Sequence, residues 1–383
     1  IVRRGHSDKL YAFFYSKERC YPDLLKHLSV TALPEEASRP SKHSWLNKMP
    51  LLRYFRTLLV IRHETRSAKA LAFLIDPDVD ILNPHDRVAH RVAYFFKKYI
   101  IAVPSEWNKN DTHSMRCVVD KLSDTDPQFR QPFWKKVVYF IRDWYENVRF
   151  IGAQDIITTV DEFDRGLIKK YFGRDAIVIR NGPDLDHFVY KKRTLPSKGV
   201  RLLTSGIFFP HRRFEDAIGA VGILRSSGFD VELNIIGDQF SDLAYAVKLE
   251  KLVAELNLGS YVHFLGRVSE AELSRHYQED HIYLYPHHLQ SDGLSPFEAL
   301  ASGMPVVVSR SAGAHEILAD RKTGLLIQPK NPADIARAVR ELLENPALYD
   351  KLASDGPGFV RANFSWQKYT DGTLAVYQQA IKR

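Results

Sequence analysis

The chain has 383 residues, with 54 Lys and Arg against 46 Asp and Glu, a formal net charge of +8. That length supports two ordinary domains with sizeable cores. No run of apolar residues is long enough to span a bilayer. The two cysteines, Cys20 and Cys117, form no CxxC pair, which excludes a disulfide scaffold or a zinc ribbon and fits a reducing compartment. The basic balance points to anionic partners such as phosphates, nucleotides, an anionic lipid surface or nucleic acid.

In chain order, "IVRRGHSDKLYAFFY" reads as the last turn of a helix, a C-cap at Gly5 and then a strand. The first Met is Met49, so a first strand, its loop and most of a first helix are expected upstream. "KLYAFFY", "VDILNPHD", "KYIIAVP", "DIITTV" and "AIVIRNG" read as the strands of the first half. Two basic, aromatic-rich segments, 43–66 and 128–150, interrupt them. A basic linker with Pro196 and Gly199 follows at 188–201.

The second half alternates more cleanly. "RLLTSGIF", "DVELNIIGD", "VHFLG", "IYLYPH", "PVVVSR" and "TGLLIQP" are predicted strands. The helices between them include one opened by a capping box, Ser269 with Glu272, and one at "AGAHEILAD". The last stretch, "FSWQKYTDGTLAVYQQAIKR", is one amphipathic helix. Strands and helices alternating at this length predict two doubly wound α/β domains of parallel strands, with ligands outside the carboxyl ends of the strands. The expected division is 1–190, 191–365 and a C-terminal helix, 366–383, packing back on the first domain.

Two loops of the second half carry the chemistry. In "HLQSDGLSPFEALA", Gly293 permits close backbone approach, and the amides of Leu294 and Ser295 open a helix and are placed to donate to an anion. Glu298 follows in the first turn, suited to a ribose diol or simply to the helix dipole. In "SGIFFPHRRFEDAI", Gly206 ends a strand, and Arg212 and Arg213 precede a helix, where guanidinium groups suit a diphosphate.

These segments carry a resemblance. "VIRNGPDLDHF", "SGIFFPHRRFEDAI", "LNIIGD", "VHFLGRVSEAELSRHY", "QSDGLSPFEALASGMPVVVSRSAGAHEIL" and "TGLLIQP" resemble, in order and spacing, the donor domain of GT-B glycosyltransferases of family 4, a retaining group. The resemblance covers roughly 151–383 and is weak before that. It implies two Rossmann-like domains facing a central cleft and a nucleotide diphosphate sugar as donor, with no cofactor and no metal. The acceptor implied is a glycan or a lipid-linked acceptor.

By the same resemblance, Glu298 holds the donor ribose, and Gly293, Leu294 and Ser295 hold phosphate or sugar. Arg212 stands where the family has Lys. Ile207 stands where it has Arg, a loss that Arg213 is placed to offset. Gln290 occupies the place of an acid near the donor sugar, and an amide there cannot carry negative charge. His85, in "VDILNPHD", matches a His-containing loop facing that sugar, although a lone His is as readily structural. "DTD" at 124–126 reads as a turn rather than a metal motif.

Segments 43–66 and 128–150, with Trp45, Tyr54 and Phe55 among Lys48, Arg53 and Arg56 in the first, are candidates for contact with an anionic bilayer, or are ordinary packed helices. The expected location is cytoplasmic or peripheral on the inner face of the membrane. No recognised nucleic-acid module accompanies the basic residues, so no nucleic-acid partner is expected.

Overall fold

The computed structural model describes residues 9–12, 29–32, 52–109, 120, 123–124 and 130–382. In the first half, β1 (Lys9–Ala12) and β2 (Ser29–Ala32) form a parallel pair. Helices α1 (Leu52–Ala72) and α2 (Asp86–Tyr99) follow. A second parallel sheet contains β3 (Glu106–Lys109), β4 (Ile156–Thr159) and β5 (Ile177–Val178), in that order. Between β3 and β4 lies α3 (Phe133–Glu146), which runs into a π turn at Asn147–Ile151. Helix α4 (Glu162–Phe172) joins β4 to β5, opened by Asp161, whose side chain accepts from the Asp164 amide, and closed by Gly173 in the left-handed region.

Three expectations change here. "KYIIAVP" is not a strand. The helical spacing of Val92, Ala93, Phe95 and Phe96, all buried, carries α2 through Tyr99, and β3 begins only at Glu106, two residues after Pro104. "VDILNPHD" forms no continuous strand: Leu82 makes a single bridge to Ser105, and His85 makes another isolated bridge just before α2. In "AGAHEILAD" only Gly313–Ile317 turns, as a 3-10 segment.

The second half holds one six-stranded parallel sheet made of β6 (Val200–Ser205), β7 (Val231–Ile236), β8 (Val262–Gly266), β9 (Ile282–Tyr285), β10 (Val306–Ser309) and β11 (Leu325–Ile327). Their spatial order is β11-β10-β9-β6-β7-β8. The sheet separates two cores by strict alternation. Leu202, Ile282, Leu284 and Val307 face one core, and Leu203, Tyr283, Tyr285, Val306 and Val308 face the other. The first is covered by α5 (Phe214–Ser226), α6 (Leu243–Glu255) and α9 (Pro332–Glu344). The second is covered by α8 (Leu294–Ala301), and α10 (Pro346–Asn363) serves both, with Tyr349 and Leu352 in the first core and Val360 in the second. Helix α7 (Glu270–Glu279) carries the complete Ser269–Glu272 capping box.

Helix α10 contains Gly356, Pro357 and Gly358. Its path is set by packing: a side chain at Gly356 would meet the Leu300 backbone oxygen at 3.0 Å, so α10 lies directly against α8. The last helix, α11 (Trp366–Ile381), puts Val376 and Ala380 into a cluster with Ile156 and Ile179, residues of the first half.

Candidate functional site

The strand order reverses direction between β6 and β9, which pair at Leu202↔Ile282. In open parallel sheets a crevice forms at such a reversal, outside the carboxyl ends of the strands. The loops that leave β6 and β9 are the two singled out by sequence.

After β6 the backbone is drawn tight. The Gly206 amide donates to Ile236 at 2.9 Å, and a Cβ at Gly237 (φ +159°) would lie 1.9 Å from the Gly206 carbonyl oxygen. A 3-10 turn, Pro210–Arg212, then delivers Arg212 beside Gly206. The Arg212 guanidinium donates to Nδ1 of His287 at 3.1 Å, and its buried Nε has no partner among the described residues. Burial, then the nearby Arg212 and His211, holds the His287 pKa well below the ordinary histidine value, so the ring is neutral and accepts from Arg212. Arg213 behaves differently. It sits at φ 55° and is gripped by Asp216 at 2.7 and 2.8 Å and by Glu215 at 2.9 Å. The adjacent arginines are therefore divided: Arg213 pins the start of α5, and Arg212 reaches the crevice. Ile207 is half-exposed in the same loop.

The loop after β9 is strained and tied down. Leu289 (φ 51°), Asp292 (φ 54°) and Gly293 (φ 112°) all occupy left-handed backbone, a clustering typical of functional loops. Only glycine fits at 293, because a Cβ there would stand 2.5 Å from the Tyr285 hydroxyl. The His288 amide donates to the His211 carbonyl at 2.7 Å, joining the two loops. Gln290 accepts at its backbone carbonyl from Gly313, at 2.8 Å, and its side-chain Nε2 donates to the Ser291 carbonyl, also at 2.8 Å. Its amide oxygen remains to accept from a ligand hydroxyl.

Gly293 caps α8, so the amides of Leu294 and Ser295 lie in a first turn that has no intrahelical acceptors for them. One turn on, the Glu298 carboxylate accepts from the Tyr277 hydroxyl at 3.0 Å. Tyr283 beside it bonds Ser205 at 2.7 Å and Ser295. Burial raises the Glu298 pKa to about 7, against the opposing Tyr277 bond.

The first half reaches this loop through residues to which the sequence assigned no role in the site. The Asp161 carboxylate accepts from the Asp292 amide at 2.5 Å and from the Asp164 amide at 2.7 Å. Asn181 donates to the Asp292 carboxylate at 2.8 Å. Glu316 accepts from the amides of Glu162 at 3.0 Å and Phe163 at 2.7 Å, and from Arg180 at 2.6 Å. Burial, with Asp161 and Glu316 nearby, lifts the Asp292 pKa to about 6. Asp124, the described residue of "DTD", accepts from His288 and from Lys330.

Their partners lie more than a hundred residues away in sequence, so no local spacing marks them. The signal available was that Arg180 and Asn181 fall inside "VIRNGPDLDHF", and Asp292 and Glu316 inside "QSDGLSPFEALASGMPVVVSRSAGAHEIL". His85 precedes α2, is exposed and bonds Asn83, which in turn donates to the buried Glu106. Among the described contacts none joins His85 to the loops after β6 or β9.

Two parallel-sheet domains with switch-point loops held against the partner domain define the class: a GT-B glycosyltransferase fold. A glycosyltransferase of Rickettsia africae matches with a TM-score of 0.72 over 100% of this chain and 92% of that one, at 16% identity. Anabaena HepE, crystallised with UDP and glucose, matches with a TM-score of 0.69 over 97% and 91%, at 15% identity. At such identities the likeness is one of fold. Residues 188–358 match the family described as glycosyl transferases group 1.

Among curated relatives, a D-inositol 3-phosphate glycosyltransferase of a Nocardioides species is 30% identical over 259 residues, 61% of this chain and 56% of that protein. A glycogen synthase of Mycobacterium tuberculosis is 26% identical over 248 residues, covering 63% and 57%. The match thus spans about half the length of these relatives.

Proposed function

We propose that the chain is a retaining, metal-independent family 4 glycosyltransferase that moves a sugar from a nucleotide diphosphate sugar to an acceptor hydroxyl. The reading places it in glycan, glycolipid or polysaccharide synthesis. One observation carries it: Arg212, the first-turn amides of α8 and the carboxylate of Glu298 converge on the switch point. The amides and the guanidinium suit a diphosphate, whereas the acid suits a diol. The UDP and glucose held by HepE support the same class of donor.

Cleavage of the sugar–phosphate bond develops charge on the departing diphosphate. Arg212 and the α8 amides, already fixed in place, stabilise that charge. The departing phosphate oxygen takes the acceptor proton in this scheme, and no glycosidase-like pair of carboxylates is invoked. Gln290 offers its amide oxygen to a sugar hydroxyl without adding negative charge. The acceptor is a glycan or a lipid-linked glycan, with peripheral bilayer contact through 43–66 or 128–150.

The test is to incubate the full chain with UDP-, GDP- and ADP-sugars, with and without EDTA, and follow donor consumption by mass spectrometry. Binding and turnover of one donor, insensitive to EDTA, are expected. Binding without turnover that Gln290→Glu restores would instead identify a catalytically impaired nucleotide-sugar-binding homologue. Failure of every nucleotide sugar to bind would end both readings.

A further inference from the structure

Helix α3 is amphipathic in the reverse sense. At 100° per residue, Phe133, Val137, Ile141, Trp144 and Tyr145 share a face about 120° wide, and Val148 follows in the π turn. That face is turned to solvent: Phe133 is 81% exposed, Trp144 57%, Ile141 56% and Val148 62%. The opposite face is polar and points inward. Asp143 is buried, and Glu146 accepts from His90 at 2.6 Å and from Arg91 at 2.8 Å. A surface helix whose surroundings were only water would carry these faces the other way round.

We infer that this face of α3 docks on an anionic lipid bilayer, lying in the plane of the interface. The inference rests on the proposed peripheral contact and narrows it to one of the two candidate segments. Charge favours this occupant. The cations of the segment, Arg130, Lys135, Lys136, Arg142 and Arg149, outnumber its acids, Asp143 and Glu146, and both acids are turned into the protein. Lys135 stands 5.7 Å from the Trp134 ring centre, and Arg149 stands 5.6 Å from that of Tyr145, so cations flank aromatic rings suited to the headgroup level.

A second copy of the chain would set two such cationic rims against each other. Spanning is excluded for α3, whose 14 residues extend only about 21 Å. No helix among the described residues is long and apolar enough to cross a membrane.

The test is flotation of the full chain with phosphatidylcholine vesicles, with and without phosphatidylglycerol, at low salt. Binding is expected to require phosphatidylglycerol. Arg149→Glu, exposed beside the Tyr145 ring, should weaken it about fivefold or more. The double variant Ile141→Ser, Trp144→Ser should abolish it while leaving thermal unfolding and nucleotide binding unchanged, since both side chains are already exposed. Wild-type chain that ignores anionic vesicles, or a double variant that binds them undiminished, overturns the inference. So does a wild-type dimer that the double variant converts to monomer without any vesicle binding. Nucleotide binding is read separately, so loss of docking and failure of the donor reading are told apart.

Discussion

The switch-point loops and the outer face of α3 both depart from the ordinary rule of apolar inside and polar outside, in opposite directions. In the loops, His287, Arg212 and Glu298 are drawn into the protein and held by fixed hydrogen bonds. On α3, large apolar side chains are turned out. Polar groups fixed before a ligand arrives pay no reorganisation cost on binding, which suits a small charged donor. An apolar stripe with a cationic rim gains its stabilisation from a phase outside the protein. On the proposed reading, one region recognises a molecule and the other a surface.

The sharpest way to break this contrast is at Gly237. An alanine Cβ would stand 1.9 Å from the Gly206 carbonyl, so Gly237→Ala must displace the ends of β6 and β7. A loss of about 3 kcal/mol or more in unfolding free energy is expected, read by chemical denaturation, whereas Ile141→Ser on α3 should change it by about 0.5 kcal/mol or less.

Next in size is Arg212→Ala, expected to lower kcat about 100- to 1000-fold, with partial recovery in Arg212→Lys. Arg213→Ala should act mainly on stability, because its partners are Glu215 and Asp216.

Glu298 gives a pH signature. Its folded pKa, raised by burial from 4.5 to about 7, means that the folded state holds the proton more tightly than the unfolded state. Its contribution to stability is therefore fully present below about pH 4.5 and is lost as pH rises through about 7. A ribose diol donates to the ionised form, so donor affinity should rise through about pH 7 and level off above it. Glu298→Gln should flatten both profiles, read by thermal shift and calorimetry.

The smallest effect is expected at Asn181→Ala, which removes one bond to the Asp292 carboxylate, worth about 1–3 kcal/mol. Because this loosens the donor loop rather than touching reacting atoms, donor KM should rise more than kcat falls. Asn181→Ser, with a shorter donor, should recover only part of the loss.

Much of the donor side was legible because its signals are local. The alternation of strands and helices, the capping box at Ser269 and the glycine that opens α8 each depend on neighbouring residues. What was not legible depends on distant ones. Asp161 meets Asp292 across 131 residues, and His287 reads as a strand-end residue until Arg212 is seen to fold onto it. The split between Arg212 and Arg213 follows from a left-handed backbone that no pattern announces. In the first half, "KYIIAVP" carries the composition of a strand, but packing of Phe95 and Phe96 extends the helix before it. Trp45 and Lys48 of segment 43–66 lie outside the described residues. The reversed polarity of α3 is invisible to periodicity, which shows two faces but not which one the domain will cover.

The central claim is that the loops after β6 and β9 bind a nucleoside diphosphate through Arg212 and the α8 amides. The direct measurement is calorimetric titration of UDP and of uridine into wild-type chain and into Arg212→Ala, with GDP and ADP pairs in parallel. The account predicts that one diphosphate binds the wild type more tightly than its nucleoside, and that Arg212→Ala removes most of that advantage while nucleoside binding persists. An advantage unchanged in Arg212→Ala, or no diphosphate binding to the wild type, would contradict it.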